Sequence, residues 1–90
     1  MAIEDELVRQ IEKVFRDLAR AEVFGEEAKL EKRRRNNEKA EKLYNKALSI
    51  YLHYDHYMSA SRLAEAMGDL SGAAELKMRY DDYVRSSRRR

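Results

Sequence analysis

The absence of proline and cysteine is the feature that most restricts the fold of this 90-residue chain. Because it also has only three glycines, the sequence has few residues that form tight turns between β-strands, and none that form disulfides. Apolar residues recur instead at helical spacing along most of the chain. We therefore predict an all-α protein with one domain over residues 1–86 and a disordered basic tail over residues 87–90.

The first helix is predicted over residues 3–34, where apolar residues follow the heptad spacing of helices that pack against another helix. The most regular part of this seam contains Leu7, Ile11, Val14 and Leu18. A helix of this length extends about 45 Å, which is longer than a compact domain of this size needs. We therefore expect its end to project or to pair with another chain, as in a structural homo-oligomer.

Two further helices are predicted, over residues 37–67 and 70–86. Asn36 suits the C-cap of the first helix and Asn37 the N-cap of the second, while Gly68 and Asp69 suit a stop followed by a new cap. After Met58 the apolar stripe rotates by roughly 120° on the helical wheel. Such a rotation indicates either a break near residues 53–55 or one straight helix that contacts two neighbours. Because that segment lacks glycine and proline, we favour the uninterrupted helix and a bundle of three antiparallel helices.

The segment "YLHYDHYM", residues 51–58, contains both histidines of the chain and three of its six tyrosines. His53 and His56 lack the carboxylates one helical turn away that metal sites in bundles use, so we predict no metal. Tyrosines at helical spacing on an apolar face are typical of packing surfaces. The sequence contains no phosphate-binding loop, nucleophile motif or catalytic triad, which predicts a protein that is not an enzyme and needs no cofactor.

Clustered basic residues, Lys32, Arg33, Arg34 and Arg35, raise the alternative of a small nucleic-acid-binding protein, because such clusters neutralise phosphates. No DNA- or RNA-recognition motif accompanies them.

The chain has no apolar run of about 18 residues, and its first ten residues are too acidic and polar for a signal peptide. We therefore expect a cytoplasmic protein that does not enter a membrane.

The stretch "EKAEKLYNKALSIY", residues 38–51, resembles the second helix of a tetratricopeptide repeat, with Ala40, Tyr44 and Ala47 at small and aromatic positions of that motif. Residues 56–76 are similar to the first helix, Gly-Asp turn and second-helix alanine of a following repeat. The 33 or 34 residues from Ala40 to Ala73 or Ala74 match the repeat length. This resemblance implies helical hairpins that bind peptides.

A second resemblance covers residues 28–54, which are similar to the first turn and second helix of microtubule-interacting and trafficking domains. "DLSGAAELK", residues 69–77, resembles the third helix of that family. These domains are three-helix modules that bind short motifs of membrane-remodelling filament proteins.

Both resemblances imply a non-catalytic protein-interaction or assembly module that holds a partner helix or peptide between its second and third helices. The expected groove residues are Tyr51, Tyr54, Tyr57, Met58, Leu76, Tyr80 and Tyr83, and the expected rim charges are Lys39, Lys42, Lys46 and Arg79.

Overall fold

A computed structural model describes residues 2–88, and within them the chain forms four α-helices and no β-strand. They are α1 (Ala2–Arg33), α2 (Asn37–His53), α3 (Tyr57–Ala66) and α4 (Leu70–Arg88). The all-α prediction is confirmed, but the bundle of three helices is wrong, because residues 37–67 form two helices. Of the predicted tail, residues 87 and 88 belong to α4, and residues 89 and 90 lie outside the described residues.

The backbone of Asp55 causes the break between α2 and α3. Its φ of 56° lies in the left-handed region, which aspartate tolerates better than most residues other than glycine. Two hydrogen bonds close the turn, from the His56 N–H to the Tyr51 carbonyl at 2.8 Å and from the Asp55 N–H to the Leu52 carbonyl at 3.1 Å. The rotation of the apolar stripe after Met58 therefore marks a reversal of the chain, which forms although residues 53–55 contain no glycine.

The turns on either side of this break share one geometry. Arg35 has a φ of 66° and Gly68 a φ of 84°, at positions 33 residues apart. The N–H groups that follow, of Asn36 and Asp69, donate to the carbonyls of Glu31 and Ala64, each at 2.9 Å. Residues 2–88 therefore form two helical hairpins, α1–α2 and α3–α4, whose turns lie 33 residues apart.

The predicted caps agree with the structure only at the second of these turns. Asp69 Oδ1 accepts the N–H of Gly72 at 3.0 Å, which confirms Asp69 as a cap, and Gly68 takes the predicted left-handed position. At the first turn the prediction was wrong, because Arg35 takes the left-handed position and α2 starts at Asn37. Asn36 lies at the N-cap position, but its side chain makes no capping hydrogen bond.

Small side chains fill the contacts between helices. The alanines that are at most 2% exposed lie on three helices: Ala21, Ala28, Ala40, Ala47, Ala60 and Ala64. Leu43, Leu63 and Leu76 are the larger side chains of this core, each at most 9% exposed. Alanine lets helix backbones approach closely, and α3 packs on α2 as well as on α4. The resulting body is flat, with extents of 50, 31 and 12 Å.

Glu31 is a buried acid at the first turn, with 7% of its surface exposed. Its carboxylate accepts a hydrogen bond from the Asn36 side-chain amide at 2.6 Å, and Arg34 and Lys39 lie 3.5 and 3.9 Å away. The hydrogen bond from Asn36 lowers the pKa of Glu31 most; burial opposes it, and the charges of Lys39 and Arg34 add to the lowering. The ionised carboxylate therefore stabilises the turn.

Gly68 and Arg35 hold the left-handed positions of the two equivalent turns, and substitutions at these positions should change the free energy of unfolding in opposite directions. Gly68→Ala should lower the free energy of unfolding by about 1 kcal/mol, because alanine is strained at this φ. Its Cβ would also lie 2.9 Å from the Lys32 ammonium, which must then move. Arg35→Gly should raise the free energy of unfolding by up to about 1 kcal/mol by removing the existing strain. Urea unfolding followed by circular dichroism measures both, and a loss in both variants would contradict the equivalence.

Glu31 should make stability depend on pH in the acid range. Because folding lowers its pKa, the carboxylate stabilises the fold above the pKa of the unfolded chain, and this stability is lost as the pH falls through the folded-state pKa. Glu31→Gln should therefore be less stable than the wild type at pH 7, and the difference should shrink below about pH 4. Urea unfolding of both proteins between about pH 3 and 7 measures this, and a constant difference would contradict it.

Candidate interaction surface

The groove predicted from the sequence is not one surface in the structure. Leu76 belongs to the core between α3 and α4. Tyr57 lies beside Tyr83, with ring centroids 6.1 Å apart in an edge arrangement, and Tyr57 donates its hydroxyl hydrogen to Asp55 at 3.0 Å. Met58 and Tyr80 are half-buried on α3 and α4. The structure therefore brings Tyr57 together with Tyr83, and both Tyr51 and Tyr57 pack against the core cluster that contains Leu76.

Tyr54 lies against α1, whereas Tyr51 packs against the core cluster between α3 and α4 and also lines a cavity between α1 and α3. The Tyr54 hydroxyl donates to Asp17 at 2.5 Å, and this hydrogen bond raises the pKa of Tyr54. Tyr51 is half-buried and stacks on the ring of His56, with centroids 6.4 Å apart. His53 and His56 are exposed. Among residues 2–88, no three histidine or acidic side chains come close enough together to hold a metal ion.

The predicted rim charges do not surround a common groove. On α2, Lys39 pairs with Glu31 and Lys42 with Glu38, while the Lys46 ammonium lies 5.6 Å from the centre of the Phe24 ring. Arg79 pairs with Glu75 within α4 at 3.3 Å. Lys39, Lys42 and Lys46 therefore share one face of α2, and Arg79 lies apart from them on α4.

Two of the four clustered basic residues at positions 32–35, which we call the basic patch, make contacts within the fold. Lys32 donates to the carbonyl of Met67 and so links the two equivalent turns, and Arg34 pairs with Glu31. Arg33 and Arg35 are exposed, and Arg35 holds the left-handed position of the turn. The patch is therefore partly occupied by contacts that define the fold.

A row of exposed apolar side chains lies on the first half of α1, which we call the arm (residues 3–18). Its apolar face, the arm face, consists of Ile3, Leu7, Val8, Ile11, Val14, Phe15 and Leu18. Five of these are more than half exposed, from 53% for Leu7, Val8 and Ile11 to 69% for Phe15 and 74% for Ile3. Monomeric proteins rarely leave so many large apolar side chains uncovered on one face.

Helix lengths explain why the arm face is uncovered. The helix α1 has 32 residues, whereas its antiparallel neighbour α2 has 17. The hydrogen bond from Tyr54 to Asp17 places the end of α2 near the middle of α1. Residues 3–16 of α1 therefore continue beyond the helix that packs on the rest of it.

The arm face continues into a groove between α1 and α3, which we call the α1/α3 groove. This cavity of about 640 Å³ is lined by Phe15, Leu18, Ala19, Glu22, Gly25, Glu26, Lys29, Tyr51, His56, Ser59, Arg62 and Leu63. Phe15 also lines a small apolar depression on the arm with Leu7, Gln10, Ile11 and Val14. The arm face and the groove therefore form one continuous surface.

Gly25 determines how closely α3 approaches α1 at the bottom of this groove. A Cβ at Gly25 would lie 3.3 Å from Cδ1 of Leu63, which is tighter than an ordinary van der Waals contact. Gly25 continues the seam spacing of α1 beyond Leu18, but that spacing does not identify α3 as the neighbour. The sequence signal for the arm face was the pair Val8 and Phe15, which widens the apolar stripe beyond a two-residue heptad seam.

Truncation of a core leucine and of an arm isoleucine should have different consequences for a dilute, monomeric sample. Leu63→Ala should lower the free energy of unfolding by about 2 to 4 kcal/mol, because Leu63 is buried against α1 and its loss leaves a cavity. Ile11→Ala should change it by less than about 0.5 kcal/mol, because Ile11 is 53% exposed. Chemical unfolding at low protein concentration measures both. Equal losses would show that the arm face is covered within the monomer.

Comparison with protein-family models gives no match for this chain, and neither do comparisons with curated proteins and with solved structures. Within residues 2–88, no helix has the combination of length and apolar character needed to cross a membrane.

Proposed function

We propose that this chain is a non-catalytic protein-interaction and assembly module that binds an apolar helix of a partner along the arm face and into the α1/α3 groove. The observation that carries this proposal is the row of five large apolar side chains, each more than half exposed, on the half of α1 that α2 does not cover.

The energy available from apolar burial favours binding through the arm face over binding through charged side chains alone. Burial of the exposed parts of five such side chains contributes roughly 4 to 9 kcal/mol before the costs of association. An exposed ion pair contributes only about 0 to 1 kcal/mol. The arm face therefore dominates the affinity, and charges at its border influence orientation and specificity.

The shape of the surface fits a helix better than an extended peptide. An extended peptide that binds by adding a strand needs the edge of a β-sheet, and residues 2–88 contain no strand. A helix presents apolar residues on one side and can lie along another helix at 8–10 Å between axes. The 33-residue spacing of the two turns supports the resemblance to tetratricopeptide repeats as well, although the surface lies on α1 and α3.

A photo-crosslinking amino acid at position 15 tests this function in the cells that make the protein. Phe15→p-benzoylphenylalanine preserves an aromatic side chain at a site that is 69% exposed. We expect a discrete protein adduct from this position. The matched control is the same substitution at Arg9, which is exposed on the opposite side of the arm and should give no adduct. Equal adducts from both positions, or none from either, would contradict the proposed function.

A further inference from the structure

We propose that the partner helix is the arm of a second copy of this chain, packed antiparallel to the first around a two-fold axis. This inference rests on the proposed function and specifies its partner. Helix lengths, the register of the seam and the distribution of charge each support it.

The lengths of α1 and α2 leave room for a helix of the same length as the arm. The difference between 32 and 17 residues leaves 15 residues of α1 uncovered, which is about 22 Å of helix. In an antiparallel pair, each arm covers the uncovered part of the other. The contact uses the same surface on both copies, so the assembly closes as a dimer.

The seam residues are symmetric about the middle of the arm. Leu7 and Ile11 are four residues apart, as are Val14 and Leu18. In an antiparallel pair, Leu7 therefore lies against the partner's Leu18, and Ile11 lies against the partner's Val14. All four seam residues of both copies are then covered in one register.

Charge favours the antiparallel direction over the parallel one. The first turn of α1 is acidic, with Glu4 and Asp5. A parallel pair would place the two acidic turns side by side, and like charges repel. The antiparallel pair places the acidic turn over the α1/α3 groove of the other copy, whose lining has two bases, Lys29 and Arg62, beside two acids, Glu22 and Glu26. Arg62 is exposed and forms no ion pair within residues 2–88.

The size of the contact sets the expected affinity. Two helix segments of about 22 Å bury less area than a standard interface between stable partners. We therefore expect a reversible dimer with a dissociation constant in the micromolar range, about 1 to 100 µM.

Sedimentation equilibrium of the purified full chain between about 1 and 500 µM measures this association. The mass should rise from 10.7 kDa toward twice that value with concentration.

Ile11→Asp should raise the dissociation constant at least about 100-fold, because it places a charge in the centre of the apolar contact. Its circular dichroism should remain helical, because Ile11 is exposed in the monomer. Arg62→Glu should raise the dissociation constant by about three- to tenfold through repulsion of the acidic turn.

Single cysteines determine the direction of the pair, and the chain has none of its own to interfere. A mixture of Leu7→Cys and Leu18→Cys chains should form mixed disulfides faster than either variant forms disulfides with itself. A parallel pair would instead link Leu7→Cys chains to one another, and this result would overturn the antiparallel arrangement.

The two proposals can fail separately. A purified chain that stays monomeric up to about 500 µM would overturn the second copy as the partner. If position 15 still forms a discrete adduct with another protein in cells, the proposed function stands with a different partner. If neither the mass nor the crosslinking shows a partner, both proposals are wrong.

Discussion

Three residues with left-handed backbone conformations, Arg35, Asp55 and Gly68, determine the arrangement of this chain. A sequence without proline has no residue that forces a helix to end, so each reversal depends on a single residue at positive φ and on the hydrogen bonds that follow it. Two of the three residues carry side chains and are strained there. The helix packing offsets this strain, because each reversal buries alanine and leucine side chains of adjacent helices against one another.

The sequence was sufficient to predict the helical class, the first turn within a few residues and the second hairpin turn at Gly68. It was insufficient at Asp55, because glycine is the usual signal for a left-handed stop and aspartate is common in helices and turns alike. The rotation of the apolar stripe at Met58 contained the missing information. A rotated stripe on a continuous helix and a reversal between two helices differ only in tertiary contacts, and hydrophobic periodicity does not describe those.

The predicted interaction residues were separated for the same reason. Tyr51, Tyr54 and Tyr57 are equally spaced in sequence. In the structure Tyr54 contacts α1 and Tyr57 contacts Tyr83 on α4, while Tyr51 packs against the core between α3 and α4. A pattern of tyrosines identifies a packing surface without identifying the neighbour. The spacing of apolar residues in α1 indicates a seam, but only the length of α2 in the structure shows which half of that seam is uncovered.

The alanine-lined contacts between helices also limit how this sequence can vary. Ala21, Ala28, Ala47, Ala60 and Ala64 have no exposed surface, and a methyl group has no rotamers with which to make space for a larger neighbour. Exchange for valine or leucine at one of these positions would require two helix axes to separate. Homologous chains with this fold should therefore keep glycine, alanine or serine at these positions, while the exposed faces of α2 and α4 change freely.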